Sequence, residues 1–229
     1  MIRALTALIA LLTVLVFAGC GDDDSDTSGS SGGADTTKTA AEGGQQCAKV
    51  KAPPAKPDGG AEKPHLKLDP ARTSTVTFQT SCGDFTVTLD AKGAPNTSAS
   101  FASLARSGFY DDTIFHRIVP GFVIQGGDPT GTGMGGPGYK TVDKPPSTAT
   151  YTQGVVSMAK TGAEKPGTSG SQFYVVTAQD AGLPPEYAIV GKVTSGMDTV
   201  MRIEALGTPS EQPSRPVVIE QVTAKVNAN

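Results

Sequence analysis

The sequence predicts an all-β domain with two inserted helices, built as a sandwich or a closed barrel. About eight short apolar runs follow one another at even spacing, and most of them alternate with polar residues, as half-buried strands do. Only two stretches carry the longer apolar period of an amphipathic helix. Because strands and helices do not alternate regularly, the pattern disfavours a doubly wound parallel sheet.

The pattern of residues 1–20 predicts an export signal that is not part of the folded domain. Arg3 precedes an apolar run from Ala4 to Ala18, which is shorter than the roughly 20 residues of a membrane span. The run leads into Phe17-Ala18-Gly19-Cys20, which resembles the bacterial lipoprotein box, although Phe17 replaces its usual leucine-like residue. The resemblance implies acylation of Cys20 and a lipid anchor at the extracytoplasmic face of the cell membrane. Cleavage after Ala18 is the alternative.

The composition of residues 21–71 predicts a disordered tether, so the folded domain is expected at 72–229. Glycine, serine, aspartate, threonine, proline and lysine dominate the tether, and its Asp22–Asp24 and Ser28–Gly33 tracts have no apolar area to bury. A flexible chain of about 50 residues has an r.m.s. reach of roughly 40 Å.

Charge and cysteine content limit the partners of the chain. Removing Arg3 with the signal lowers the formal net charge from −3 to −4, and without a basic stripe nucleic acid is not an expected partner. Assigning Cys20 to lipid leaves Cys47 and Cys82 as an even pair in an oxidising compartment. We therefore predict a disulfide between them, with two buried free thiols as the alternative.

No metal or cofactor site is predicted. No spacing of histidine, cysteine and aspartate suggests a set of metal ligands. Gly131 to Gly136 formally fits the dinucleotide pattern G-x-G-x-x-G, but Pro137-Gly138 prevents the helix that must follow it. A surface loop is the better interpretation.

The domain begins with a predicted hairpin and a helix. Apolar residues alternate with threonines on either side of a turn at Ser81–Asp84: Val76, Phe78, Phe85, Val87 and Leu89. A helix is predicted to open at Pro95, with Asn96 or Thr97 as its N-cap, and to end at Gly108.

Further strands and a second helix are predicted after residue 150. The predicted strands are Val155–Ala159, Gln172–Val176, Tyr187–Val193 and Pro216–Val222, and the predicted helix is Gly196–Leu206.

The segment from Phe115 to Asp128 carries polar groups that a plain core hairpin would not need. Two apolar runs meet at the turn pair Pro120-Gly121. With a period of two, Arg117 points to one side of its strand and His116 to the other. Such a hairpin could hold an arginine, a phenylalanine and a glutamine close together on a rigid sheet surface.

This segment resembles the signature of the cyclophilin family of peptidyl-prolyl cis-trans isomerases. The signature is Phe-His-Arg, four residues, Phe, two residues and Gln-Gly-Gly-Asp, and all of these positions are met. Three downstream strands resemble the family in the same order: Gly154–Ala159, Gly170–Tyr174 and Ala188–Val193. The resemblance covers about Arg72 to Val226. It implies a closed eight-stranded antiparallel β-barrel capped by two α-helices.

The resemblance implies a peptidyl-prolyl cis-trans isomerase, without a cofactor, acting on proline-containing polypeptides of exported proteins. A monomer is expected. The residues implied as catalytic are Arg117, Phe122, Gln125 and His116. The residues implied as substrate-binding are Val123, Ala159, Lys160, Gln172, Tyr174, Leu183 and Tyr187.

Departures from the family pattern keep a second function open. Val123 replaces a common methionine, Lys160 an asparagine and Tyr187 a histidine, and Gly182 stands where the family has a tryptophan. The alternative is a module that binds proline-containing segments with little turnover. A serine hydrolase is disfavoured, because the folded region has one histidine and no serine-centred elbow.

Overall fold

Residues 46–226 are described by the computed structural model. Within this range the chain forms eleven strands and two helices. In chain order they are β1 (Thr75–Thr80), β2 (Gly83–Leu89), α1 (Pro95–Arg106), β3 (Thr113–Ile114), β4 (Arg117–Val119), β5 (Val123–Gly126), β6 (Thr141–Val142), β7 (Val155–Met158), β8 (Thr168–Ser169), β9 (Phe173–Val176), β10 (Ile189–Ser195), α2 (Met197–Glu204) and β11 (Val218–Lys225).

Nine of these strands form one antiparallel sheet in the order β3-β11-β1-β2-β10-β7-β9-β5-β4, and β6 pairs with β8 separately. The two edge strands, β3 and β4, are separated in the chain by only Phe115 and His116. The sheet is therefore strongly curled, since its opposite edges are joined by two residues.

The prediction of a mostly-β domain with two helices is confirmed, but the closed eight-stranded barrel is not. The predicted strand that begins at Phe115 is observed only as β4, and the short strand β3 before it was not predicted. The Phe115 N–H donates to the carbonyl of Val217, whereas the Ile118 N–H donates to that of Glu211. These two bonds go to different partners, and β3 and β4 do not pair with each other.

An aromatic cluster fills the interior of the curled sheet. Phe78 stacks on Phe85 with ring centroids 4.8 Å apart, and the edge of Phe173 meets Phe101 of α1 at 5.4 Å. Both Phe78 and Phe173 are fully buried. Offset-stacked and edge-to-face pairs are the favourable arrangements for aromatic rings. This core fixes β1, β2, β9 and α1 as one rigid body.

The first helix is capped differently from the prediction. It begins at Pro95 as expected, but neither Asn96 nor Thr97 is its N-cap residue. Instead, the Asp143 carboxylate accepts hydrogen bonds from the Thr97 N–H at 2.6 Å and from Asn96 Nδ2 at 2.9 Å. A carboxylate from a distant loop thus satisfies donors that the sequence pattern assigned to a local cap.

Residues 46–68, here called the N-terminal strap, correct the predicted boundary of the tether. Cys47 forms a disulfide with Cys82. Lys56 Nζ donates to the carbonyls of Gly108, Phe109 and Asp111 at 2.8–3.0 Å. Leu68 is buried in the main core. The strap lies against the domain because a cross-link and a lysine provide the contacts that its few apolar residues cannot.

The predicted signal, Cys20 and the tether up to residue 45 lie outside the described residues. Between residues 46 and 226, neither helix has the length and apolar character needed to cross a bilayer.

Candidate active site

Arg117 lies in a row of side chains that crosses three neighbouring strands. It pairs with Gln125 between β4 and β5, and Gln125 pairs with Tyr174 between β5 and β9. Residues in register on adjacent strands point to the same face of the sheet. The neighbouring row of Ile118, Ile124 and Val175 packs into the main core. Arg117, Gln125 and Tyr174 therefore project from the opposite face.

The guanidinium of Arg117 is held at two nitrogens. Nε donates to Glu211 Oε2 at 2.7 Å, and Nη1 donates to Gln125 Oε1 at 3.3 Å. These contacts use two of the five guanidinium N–H donors. Within residues 46–226, the remaining donors are available to a ligand at the mouth of the cavity described next.

A cavity of about 170 Å³ opens beside Arg117. It is lined by Arg117, Phe122, Val123, Gln125, Ala159, Lys160, Tyr174, Leu183 and Tyr187. All nine residues are among those implied by the sequence. The structure therefore brings together every residue predicted as catalytic or substrate-binding except His116 and Gln172.

The inner wall of the cavity is apolar and buried. Val123 and Tyr174 are 2% and 5% exposed, and the Tyr187 ring meets Tyr174 edge-on with centroids 5.7 Å apart. Burial raises the pKa of Tyr174 well above its ordinary value, and the nearby tyrosines Tyr151 and Tyr187 add to the effect. The phenol is thus neutral and serves as an apolar surface with a polar tip.

Tyr151 supports this wall from behind, although no motif or period in the sequence marks it. It is fully buried, and its hydroxyl donates to the Tyr187 carbonyl at 2.8 Å while accepting the Tyr187 N–H at 3.0 Å. A buried hydroxyl that satisfies both backbone groups of one residue fixes that residue's position. Tyr151 therefore sets where the Tyr187 ring stands.

Lys160 lines the cavity, but its ammonium group is already paired with other side chains. Its side chain is 4% exposed, and Nζ lies 2.9 Å from Glu186 Oε2. Nζ also lies 5.4 Å from the centroid of the Tyr187 ring, within the range of a cation–π contact. Of the two cationic side chains that line the cavity, Arg117 is thus the one with N–H donors available to a ligand.

Gln172 lies behind Gln125 and joins it to a neighbouring loop. Gln125 Nε2 donates to Gln172 Oε1 at 3.1 Å, and Gln172 Nε2 donates to the carbonyls of Gly133 and Gly135, each at 2.9 Å. Gln172 lines a second, adjoining cavity that shares Gln125, Ala159 and Lys160 with the first. Its amide orients Gln125, and through it the row that includes Arg117.

His116 does not line this cavity, so its catalytic role stays a prediction without support from the cavity geometry. It follows the strand alternation and lines a different cavity, together with Arg215 and Pro216. Both ring nitrogens are buried and lack a hydrogen-bond partner among the described residues. Burial lowers the pKa of His116; Asp128 opposes this effect and Arg117 adds to it. The buried environment therefore favours the neutral imidazole.

Gly127 and Asp128, which end the signature, have structural roles. Gly127 has a φ of +83°, and a Cβ there would lie 2.6 Å from the carbonyl oxygen of Ser171. Asp128 accepts hydrogen bonds from the backbone of Thr130 at 2.7 Å and of Gly133 at 2.5 Å. These contacts fix the loop whose carbonyls hold Gln172.

Glu211 is the site residue that the sequence did not reveal. It lies in the loop between α2 and β11, and no period or motif marks that loop. Its contact with Arg117 is set by how the loop docks on β4, which is a tertiary feature.

Comparison with known proteins agrees with this geometry. The family described as cyclophilin type peptidyl-prolyl cis-trans isomerase/CLD matches residues 75–224. Peptidyl-prolyl cis-trans isomerase-like 1 of Aspergillus fumigatus is 44% identical over 156 residues, which are 66% of this chain and 94% of the relative. A probable peptidyl-prolyl cis-trans isomerase A of Mycobacterium bovis is 38% identical over 174 residues, covering 67% of this chain and 93% of the relative.

Solved structures give the same result. A cyclophilin type peptidyl-prolyl cis-trans isomerase of Cryptosporidium parvum superposes with a TM-score of 0.62 at 36% identity, covering 68% of this chain and 99% of that one. A second structure of that protein, in the presence of the dipeptide Ala-Pro, gives a TM-score of 0.61 at 35% identity, covering 67% and 99%. With its family match, its relatives and its fold in agreement, the chain belongs to the cyclophilin family of peptidyl-prolyl cis-trans isomerases.

Proposed function

We propose that this isomerase accelerates the folding of exported proteins by stabilising twisted X-Pro bonds with Arg117. The observation that carries the proposal is the position of the Arg117 guanidinium at the rim of a cavity with an apolar wall. Phe122, Val123, Tyr174 and Leu183 provide the surfaces that would hold a proline ring. The dipeptide in the related structure from Cryptosporidium parvum supports a proline-containing ligand.

The chemistry needs no covalent intermediate. Rotation about the C–N bond is slow because resonance must be lost, with a barrier of about 18–20 kcal/mol for peptide bonds. As the bond twists, the imide nitrogen becomes pyramidal and gains a lone pair. A fixed guanidinium donates to that lone pair more strongly than to the planar bond, so it stabilises the transition state over the ground state.

The apolar wall has two roles in this mechanism. It holds the proline ring still while the preceding residue rotates. It also excludes water, which would otherwise weaken the field of the guanidinium. Gln125 and the Ala159 backbone would bind the substrate main chain. Because the Ala159 N–H already donates to the Gln172 carbonyl at 2.9 Å, its own carbonyl is the group we assign to that role.

The test is the rate of isomerisation of a proline peptide by the full chain carrying Arg117→Ala. We expect kcat/KM to fall at least about tenfold, equivalent to 1.36 kcal/mol of transition-state stabilisation. The Tm should stay near that of wild type, because Arg117 is in a partly exposed ion pair of small energetic value. Arg106→Ala, an exposed arginine at the end of α1, is the matched control. An unchanged rate for Arg117→Ala would reject the assignment.

We also propose that the protein is a monomer anchored by lipid on Cys20 at the extracytoplasmic face of the cell membrane. The support is the apolar run that leads into Cys20 and the Cys47–Cys82 disulfide, which is typical of an oxidising compartment. Metabolic labelling with a fatty acid and cell fractionation test the anchor. Cys20→Ser should lose the label and leave the membrane fraction; a variant that fractionates like wild type would reject the anchor.

A further inference from the structure

Glu211 is an ionic partner of Arg117 on the side away from Gln125. Its Oε2 atom lies 2.7 Å from Arg117 Nε, while Arg117 Nη1 contacts Gln125 at 3.3 Å. A guanidinium is a planar fork, so contacts at two of its nitrogens determine both its plane and its rotation. With Glu211 alone or Gln125 alone, the group would keep rotational freedom.

The backbone of Glu211 adopts a conformation that glutamate rarely takes. Its φ is +64°, and only one other non-glycine residue in the described range, Asp112, has a positive φ. Left-handed backbone is unfavourable for a side chain of this kind, because its Cβ approaches the following carbonyl oxygen. Such strain persists where surrounding contacts impose it, and it concentrates at functional sites.

Hydrogen bonds place Glu211 directly beside the strand that carries Arg117. The Ile118 N–H donates to the Glu211 carbonyl at 2.7 Å, and the Glu211 N–H donates to the Thr208 carbonyl at 2.9 Å. Ile118 is the residue after Arg117 in β4. The backbone of Glu211 is therefore held one residue from the arginine that its side chain contacts.

The base of the loop is fixed as well. A Cβ at Gly207 would lie 2.8 Å from both Ile118 Cγ2 and Pro120 Cγ, so the loop backbone is in close contact with the β4 hairpin. The Ser214 N–H donates to the Leu206 carbonyl at 2.7 Å and closes the loop. The backbone that carries the Glu211 carboxylate is thus held against β4 by the fold.

We propose that Glu211 is a positioning residue of the isomerase. It holds Arg117 Nε and thereby aims the Nη groups of the guanidinium at the cavity, acting through Arg117 and not on the substrate. The proposal rests on the proposed role of Arg117. The Glu211 side chain is 52% exposed, and ion pairs this exposed contribute little to stability. Its removal should therefore affect turnover rather than folding.

Three substitutions of Glu211 in the full chain separate positioning from structure. Glu211→Ala removes the carboxylate, and kcat/KM should fall about fivefold, which is about 1 kcal/mol, with the loss mainly in kcat. Glu211→Gly should lose the same activity but have a higher Tm than Glu211→Ala, because glycine adopts a positive φ without strain. Glu211→Gln keeps an acceptor for Nε and should recover most of the rate. Glu220→Ala, exposed on β11, is the control and should behave like wild type.

The combination with Arg117→Ala decides whether Glu211 acts through the arginine. In that background, Glu211→Ala should cause no further loss of rate, because the group that it positions is absent. The proposal is overturned if Glu211→Ala keeps the wild-type kcat, or if it lowers the rate equally with and without Arg117. If Arg117→Ala alone keeps full activity, the proposed function of Arg117 fails instead, so the two failures are distinguishable.

Discussion

Removing the Cys47–Cys82 disulfide should destabilise the domain without affecting its site. Cys82 lies in the turn between β1 and β2 and is 1% exposed, whereas Cys47 is in the N-terminal strap. Neither cysteine lines the cavity beside Arg117. The perturbation is the double variant Cys47→Ser/Cys82→Ser, and Cys20→Ser is the matched control.

The magnitude follows from the length of chain that the bridge closes. The two cysteines are 35 residues apart, and loop-closure entropy then gives about 4 kcal/mol at 25 °C. For a domain of this size, each kcal/mol shifts the Tm by about 2–4 °C, so we expect a fall of about 8–16 °C. The fold should survive, because Lys56 and the backbone bonds of the strap remain.

The assay is thermal unfolding followed by circular dichroism, together with kcat/KM at 25 °C. The double variant should show the lower Tm and an unchanged rate, and Cys20→Ser should show neither change. Intact-mass measurement after alkylation without reductant gives an independent check. Alkylation of both Cys47 and Cys82 in the wild-type chain, or a double variant with the wild-type Tm, would refute the reasoning.

Three further predictions concern single side chains. Lys56→Met removes three hydrogen bonds from a charged group and should lower the free energy of unfolding by about 2 kcal/mol in denaturant titrations; an unchanged midpoint contradicts it. Burial tends to raise the pKa of Asp128, but hydrogen bonds from Thr130, Gly135 and Gly133 hold it below the ordinary value. Its stabilisation is therefore fully present above about pH 4 and is lost as the pH falls through the lowered pKa, so Asp128→Asn should be less stable than wild type at pH 7, by a margin that shrinks as the solution becomes more acidic. His116→Gln should keep kcat/KM within about threefold, since His116 lies outside the cavity; a larger loss at full stability would support a catalytic role for it.

The part of the site that depends on strand alternation could be predicted from the sequence. Arg117 is the first residue of β4 and Gln125 is the third residue of β5. The turn at Pro120-Gly121 brings these two positions opposite each other, so both side chains point to the same face of the sheet. The site residues on later strands and loops, such as Tyr174 and Leu183, were predicted only from the family resemblance. Local pattern alone could not place them, because it does not determine which strands become neighbours.

The features that the sequence did not predict are tertiary. His116 is next to Arg117 in the chain, but alternation puts the two side chains on opposite faces, and the signature does not say which face bears the cavity. Glu211 enters the site through loop docking. The strap has the composition of a tether, and what orders it is a lysine, a disulfide and backbone hydrogen bonds rather than an apolar face.

The most direct test of the proposed mechanism separates catalysis from binding at Arg117. NMR exchange spectroscopy on a saturating Ala-Pro peptide gives the isomerisation rate on the enzyme, and titration gives the Kd. If the guanidinium stabilises the twisted bond, Arg117→Ala lowers the bound-state rate at least about tenfold while Kd changes by no more than about threefold. A bound-state rate equal to wild type, with the whole loss in Kd, would contradict the mechanism.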